Sequence, residues 1–450
     1  MNTIPARIKP LSDVKSVVIT GQSDQPAAWT RGFDYILCYG LAGLAVFGPL
    51  AFGAVEPWAA FALQCGVALL FLVWAARQVA SGSLQVAFSP LYIPLLGFAA
   101  IVGLQILLRV PRYLYGTVSA AQFSILYGLV FFIAVQVLYR DRNLERILGL
   151  LSLFGFLLAL FAIIQHFAGN GNIYWIRPVT DESSVFGPYI NRNHFAGAME
   201  LLAPLPVVLA TRSHRSMLER FASMFAGGVM VAAVFLSGSR GGMVSVVAEF
   251  MFFIGCVLLV KRGSRQAWMG IAIFFVLAAG LVAWVGAADM VERIGTLADQ
   301  FNSATMDQRS TILRDSLVMV KERPLLGWGL GQFPDVYPQF RSFYTNFFVN
   351  AAHDDYLQVL VETGFLGFAM AVLFIVLLYA GGIKRWRAGS SANLAALVAC
   401  TGLLVHGFVD FNLQIPANAV LFCLLSAAAC STAERLQVPV VRNNRTYSMR

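Results

Sequence analysis

Runs of roughly 20 mostly apolar residues recur along this chain, and nothing else in it constrains the fold so tightly. They lie near 33–53, 57–79, 91–108, 119–139, 145–168, 195–211, 222–237, 241–261, 267–288, 355–380, 391–409 and 414–432. Each is long enough to cross a bilayer as a helix. Inside lipid, backbone polar groups must be satisfied within the segment, so the runs read as helices rather than strands. The expected fold is an all-α polytopic membrane protein with about twelve transmembrane helices. Composition agrees: of 450 residues, 58% are hydrophobic and 12% charged, against about 45–50% and 25% in a soluble domain. An ordinary soluble enzyme, a disordered chain and a disulfide-knotted secreted domain are thereby excluded. The six Cys all fall in apolar stretches and read as small buried hydrophobes, neither a disulfide set nor a metal site.

Charge then orients the spans. With the amino terminus in the cytoplasm and the spans alternating, 21 of the 32 Lys and Arg fall on the inner side, as positive-inside insertion requires. The net charge of +9 is therefore an insertion signal and implies no nucleic acid. The expected organisation is a cytoplasmic tail at 1–32, nine spans within 33–288, an outer loop at 289–354, three spans within 355–432 and a cytoplasmic tail at 433–450. Both termini lie inside. The long loop exceeds the usual dozen or so residues of a connection, which points to function. Within it, Asp307 to Glu322 reads as an amphipathic helix that Pro324 ends, followed by a permissive turn of Gly327, Gly329 and Gly331 around Trp328. A lipid-interface helix is the competing reading of this stretch.

The outer face collects polar residues against the charge bias. Asn191-Arg192-Asn193-His194 opens the sixth span, where an Asn cap, free N–H groups and Arg192 favour an anion; a capped interface helix with a snorkelling Arg is the plainer alternative. Ser237-Gly238-Ser239-Arg240-Gly241-Gly242 joins two spans by a tight hairpin. Its backbone N–H groups are expected to form an anion-binding nest, with the planar fork of Arg240 at the apex; the alternative is a turn with an incidental Arg. His353-Asp354-Asp355-Tyr356-Leu357-Gln358 leads into the tenth span, with Asp355, Gln358 and Glu362 on one helix face. His353 could accept a proton if a carboxylate orients it; a capping Asp beside an interface His is the alternative. Glu200 and Glu249 fall inside spans, where an ionisable group is a candidate for function, and Glu200 is expected to pair with Arg192. His406, Asp410 and Asn412 line the turn between the last two spans. No carboxylate pair has metal-ligand spacing, and no Walker A, HExxH or GxSxG motif occurs. Arginines, a nest and a His suit an anionic leaving group and a hydroxyl nucleophile that needs a base.

These residues resemble a known family. Arg309, then Pro324-Leu325-Leu326-Gly327-Trp328-Gly329-Leu330-Gly331-Gln332-Phe333, then His353 to Gln358, then Glu362-Thr363-Gly364-Phe365-Leu366-Gly367 are similar to the signature of the bacterial O-antigen ligase and Wzy-type polymerase superfamily. Ser239-Arg240-Gly241-Gly242 resembles its other Arg-bearing turn, and the likeness runs roughly from the fourth span onward. The resemblance implies a GT-C-like glycosyltransferase of the bacterial inner membrane. Such an enzyme takes a glycan from undecaprenyl diphosphate at the periplasmic face and transfers it, with inversion and without metal or other cofactor, to a hydroxyl. The acceptor is a lipid A–core oligosaccharide in ligases and another lipid-linked glycan in polymerases.

Carried over residue by residue, the catalytic positions are His353, Arg240 and Arg309. Arg192, Asn193, Ser239, Asp355, Tyr356 and Gln358 are expected to bind diphosphate or glycan. The Asn191–His194 run looks more like exopolysaccharide-cluster members, and Asp354 stands where the family often has Asn; both leave ligase against polymerase open. Two other classes compete. A transporter or flippase of lipid-linked glycans would show paired halves, and the chain has no internal repeat. An assembly subunit would have no use for Arg240, Arg309 and His353 together.

Overall fold

The computed structural model describes residues 28–82, 84–139, 141–179, 185–212, 215–259, 304–344, 348–431 and 436–438, with single positions at 272, 276 and 280. The expected ninth span at 267–288, the start of the long loop and most of both tails lie outside the described residues. The other eleven apolar runs all fall on helices. These are α1 (Ala28–Leu50), α2 (Pro57–Ser81), α3 (Tyr92–Leu107), α4 (Leu114–Leu138), α5 (Asp141–Ala168), α6 (Arg192–Leu202), α7 (Pro204–Ala210), α8 (Met217–Ser237) and α9 (Arg240–Leu259). After the gap come α10 (Ala304–Glu322), the single turn α11 (Phe333–Val336), α12 (Asp355–Arg387), α13 (Ser391–His406) and α14 (Pro416–Cys430). Among the described residues eight helical segments are long and apolar enough to cross a membrane, α6 and α7 counting as one, and α3, α13 and α14 are shorter apolar helices. The chain is thus a multi-pass, mainly helical membrane protein.

Burial sorts these helices into layers. Almost every side chain of α6, α7, α13 and α14 is buried, and α6 packs on α8, α9, α13 and α14. Ala196, Gly197 and Ala198 let α6 approach closely: a Cβ on Gly197 would stand 2.3 Å from the Asn412 side-chain oxygen. Around this centre, α2, α4, α5 and α12 turn large apolar side chains such as Phe61, Leu72, Ile125, Leu153 and Val376 outward, the pattern expected toward lipid. Cys65 is exposed on α2, which corrects the expectation that all six Cys are buried. At one end of the bundle Arg77 Nε donates to Asp34 at 2.7 Å, joining α2 to α1. A strand pair, β1 (Leu84–Val86) and β2 (Leu436–Val438), ties the segment after α2 to the last described residues.

The tenth apolar run is not one helix. Gly364 has φ +65° and ψ −170°, which interrupts α12 after about two turns. The segment after α10 folds into this break. Phe365 and Leu366 N–H donate to Pro324 and Leu325 carbonyls, while Trp328 and Gly329 N–H donate to Val361 and Glu362 carbonyls. The buried Glu362 carboxylate accepts from Gly331 N–H at 2.8 Å and Phe333 N–H at 3.3 Å. From α3, Gln105 Nε2 donates to the Leu326 and Glu362 carbonyls. Backbone broken at membrane depth is tolerated only where protein supplies its partners, and here a loop and two side chains do so.

α10 then lies over this loop. Ile312, Met319 and Val320 pack with Trp328, Phe333, Val336 and Tyr337 in a small core of their own. Buried Asp315 accepts from Tyr337 O–H and Ser342 N–H, both at 3.0 Å. The expected helix and its stop near Pro324 are both present; it buries Ile312, Met319 and Val320 against the protein's own loop, while Leu317, expected on the same apolar face, is exposed.

Candidate functional site: two carboxylate–imidazole pairs

The sequence clusters meet at the end of the bundle where α6, α9 and α12 begin and α13 ends. Asp354 caps α12, its side chain accepting from Leu357 N–H at 2.9 Å. Just before the cap, His353 sits at φ +54°, a left-handed conformation uncommon outside glycine, which turns the chain sharply into the helix. Its side chain is 28% exposed, and Nδ1 stands 3.7 Å from Asp410 Oδ1. That is within ion-pair reach but beyond hydrogen-bond length. The imidazole also meets the Phe411 ring edge-on, and His194 meets the same ring, with centroids 5.1 and 5.0 Å away.

Asp410 is the hub of the cluster. It is buried, accepts from Asn193 Nδ2 at 2.6 Å through Oδ2, and accepts from Phe411 N–H at 2.9 Å through Oδ1. Burial opposes its charge, but the imidazoles of His353, His194 and His406 and the Phe411 N–H outweigh that and hold its carboxyl well below the usual carboxylate range. Asp354 shows the contrast: burial pushes its carboxyl up.

A second pair lies behind the first. His406 Nδ1 and Glu200 Oε1 are hydrogen-bonded at 2.8 Å, both side chains being fully buried. Glu200 thus pairs with His406 rather than with Arg192, because α6 turns this face inward against α13 and α9. Glu249 packs deeper along the same seam, against Gly402 on α13. Asn418, absent from the sequence reading, donates to the His194 carbonyl and to Asn412 Oδ1, both at 2.9 Å, and accepts from Tyr189 O–H at 3.0 Å.

The Arg240 turn adjoins this pair. Ser239 is buried and its hydroxyl accepts from Gly242 N–H at 3.2 Å, capping α9. Gly238, Ser239 and Met243 N–H donate to Phe235, Ser237 and Ser239 oxygens. The expected open nest is therefore largely consumed by its own turn, and Ser239 shapes the loop while Arg240 presents an exposed side chain. Asn191 caps α6 by accepting from Asn193 N–H at 2.8 Å, with Arg192 half-exposed beside it.

The polar stripe at the start of α12 also has protein partners. Asp355 accepts from Leu413 N–H and Gln414 Nε2, at 3.1 and 3.4 Å. Tyr356 O–H donates to the Leu404 carbonyl at 2.6 Å, and Gln358 Nε2 donates to Glu362 and Gln414. These three residues clamp the turn that carries Asp410 onto α12. Arg309 stands exposed on α10 and makes no polar contact among the described residues. The structure thus sets Asp410 between His353 and Asn193 and rests Gly241, next to Arg240, on the same turn, while Arg309 stands on α10. Among the described residues no group of three or more His, Cys, Asp or Glu is placed to hold a metal ion.

No curated protein matches the chain. Residues 225–372 match the family model described as O-antigen ligase. The match takes in Arg240, Arg309, His353 and the loop seated in the Gly364 break, and stops short of Asp410. Over residues 225–372 the chain is thus similar to the O-antigen ligase family, in line with the resemblance read from its sequence.

Proposed function

We propose that the protein is a membrane glycosyltransferase, an O-antigen ligase or surface-polysaccharide polymerase. It moves a glycan from undecaprenyl diphosphate to a hydroxyl acceptor, either lipid A–core or another glycan, at the periplasmic face of the inner membrane. The observation that carries this reading is His353 backed by Asp410, beside the turn that presents Arg240. His353 takes the proton of the acceptor hydroxyl as its oxygen attacks the anomeric carbon from the face opposite the diphosphate, and Asp410 stabilises the imidazolium that forms. The anomeric carbon–oxygen bond breaks and the diphosphate leaves with the electron pair. Arg240, with Arg309 from α10, meets the charge that grows on it, and Arg192 and Asn193 line the approach. Arginine and histidine side chains supply all of these roles, so the reaction needs no metal. A GT-C-like arrangement of twelve spans with both termini inside completes the proposal.

Transfer by purified protein supplied with lipid-linked glycan tests it. Arg240→Ala is expected to slow transfer by about 10²–10³, the usual effect of losing one transition-state donor. Arg240→Lys is expected to fail as well, since an ammonium cannot fork onto two phosphate oxygens. Transfer is expected to persist in excess EDTA; loss on chelation with rescue by added metal would contradict the mechanism. If no new glycosidic bond forms while labelled donor crosses a vesicle wall, the transporter reading replaces this one. Product on lipid A marks a ligase, and single repeat units in a knockout mark a polymerase.

A further inference from the structure

Two glycines follow Arg240, and the structure gives each a neighbour that excludes a side chain. A Cβ on Gly241 would lie 2.6 Å from His406 Nε2 and 2.9 Å from Val409. A Cβ on Gly242 would lie 2.7 Å from the Ala196 Cβ and 3.1 Å from Glu200 Oε1. The backbone of the first turn of α9 therefore rests directly on the edge of the Glu200–His406 pair. The pair has no exposure of its own: Glu200 is 0% and His406 1% exposed. Its Nδ1–Oε1 bond of 2.8 Å fixes the ring, and the ring's other nitrogen faces Gly241. α6 supplies both supports, since Asn193 holds Asp410 and Glu200 holds His406. His406 also starts the turn that carries Asp410, as its carbonyl accepts from Val409 and Asp410 N–H.

We infer that Glu200 and His406 are positioning residues for Arg240: the buried pair is the seat that sets where this guanidinium stands relative to His353. The inference rests on the proposed role of Arg240 in holding a lipid diphosphate. It also accounts for the glycines of the Ser239-Arg240-Gly241-Gly242 turn, because any larger residue would lift the turn off its seat.

The test uses the full chain in detergent, with titration of farnesyl diphosphate, a short lipid diphosphate, as the probe and thermal unfolding measured alongside. Glu200→Ala and His406→Ala are expected to weaken binding by about tenfold, the scale of coupling between contacting groups. Glu200→Gln retains an acceptor for His406 Nδ1–H and is expected to bind as the parent does. Glu200→Ala combined with Arg240→Ala is expected to be no weaker than Arg240→Ala alone, because both act through one group. Should Glu200→Ala not accumulate, Gly241→Ala carries the same expectation, since its Cβ displaces the turn from His406. Parent-like binding by Glu200→Ala, or losses that add in the double variant, would overturn the inference while leaving Arg240 in place. Parent-like binding by Arg240→Ala would instead overturn the reading of Arg240.

Discussion

Replacing His353 by Ala is expected to remove glycan transfer, by about 10²–10⁴, while the protein still reaches the membrane at its normal level. The first half follows from its place: it is the partly exposed imidazole of the cluster, backed by a carboxylate, at the mouth of α12. The second half follows from the same exposure. Removing a side chain that is 28% exposed opens no buried cavity, and the cap of α12 belongs to Asp354. Single-turnover transfer of labelled glycan, with membrane abundance as the control, checks both. Asp410→Asn is expected to lower transfer less, yet to cost more stability, because it alters the group that Asn193 and Phe411 hold. The sign of the pH effect is fixed by the direction of its shift. A carboxyl held below its ordinary range contributes stability in full above that range and loses it as pH falls. Asp410→Asn is accordingly expected to flatten the acid limb of a plot of unfolding temperature against pH.

Gly364→Val is expected to do the opposite: the protein fails to accumulate, with a loss of about 4–5 kcal/mol or more. A Cβ at 364 would lie 2.3 Å from the Leu325 carbonyl carbon and oxygen, at a φ of +65° that strains any branched residue. Gly327→Val should behave alike, since its Cβ would lie 2.5 Å from the Glu362 carbonyl, also at φ +65°. Neither clash meets a side chain that could swing away; both meet backbone. Gly389 provides the control. Its φ is +106° but nothing lies within 4 Å of its Cβ position, so Gly389→Ala is expected to pay backbone strain alone. Membrane abundance and thermal unfolding in detergent, compared across the three variants, decide the matter.

Hydropathy made the helices legible, since lipid demands the same length and greasiness of every span. The positive-inside rule singled out Arg192, Arg240 and Arg309, because it disfavours them on the side expected to face outward. Long-range pairing was another matter. Glu200 was expected to meet Arg192 by helical spacing, but the packing of α6 on α13 gives it His406, 206 residues away. Asp410 was visible only as a residue of the last turn; its link to Asn193 spans 217 positions and leaves no periodicity to read. The glycines at 327, 329 and 331 announce a turn, yet nothing local shows that the turn fills a helix broken at Gly364. The polar face of Asp355, Gln358 and Glu362 is legible from its spacing, but nothing in the spacing shows that its partners are the 404–414 segment and the loop after α10.

The break at Gly364 also sets an order for biogenesis. Ribosome and translocon release the chain from the amino terminus, so α3 is in the bilayer long before α12 emerges. Gln105 waits 257 residues for the Glu362 carbonyl it binds. Until then its amide, and the unpaired backbone on either side of Gly364, are polar groups without partners in lipid, each a substantial penalty. The last three helices therefore cannot finish folding as they are threaded. They complete their packing only once the loop after α10 is seated in the Gly364 break.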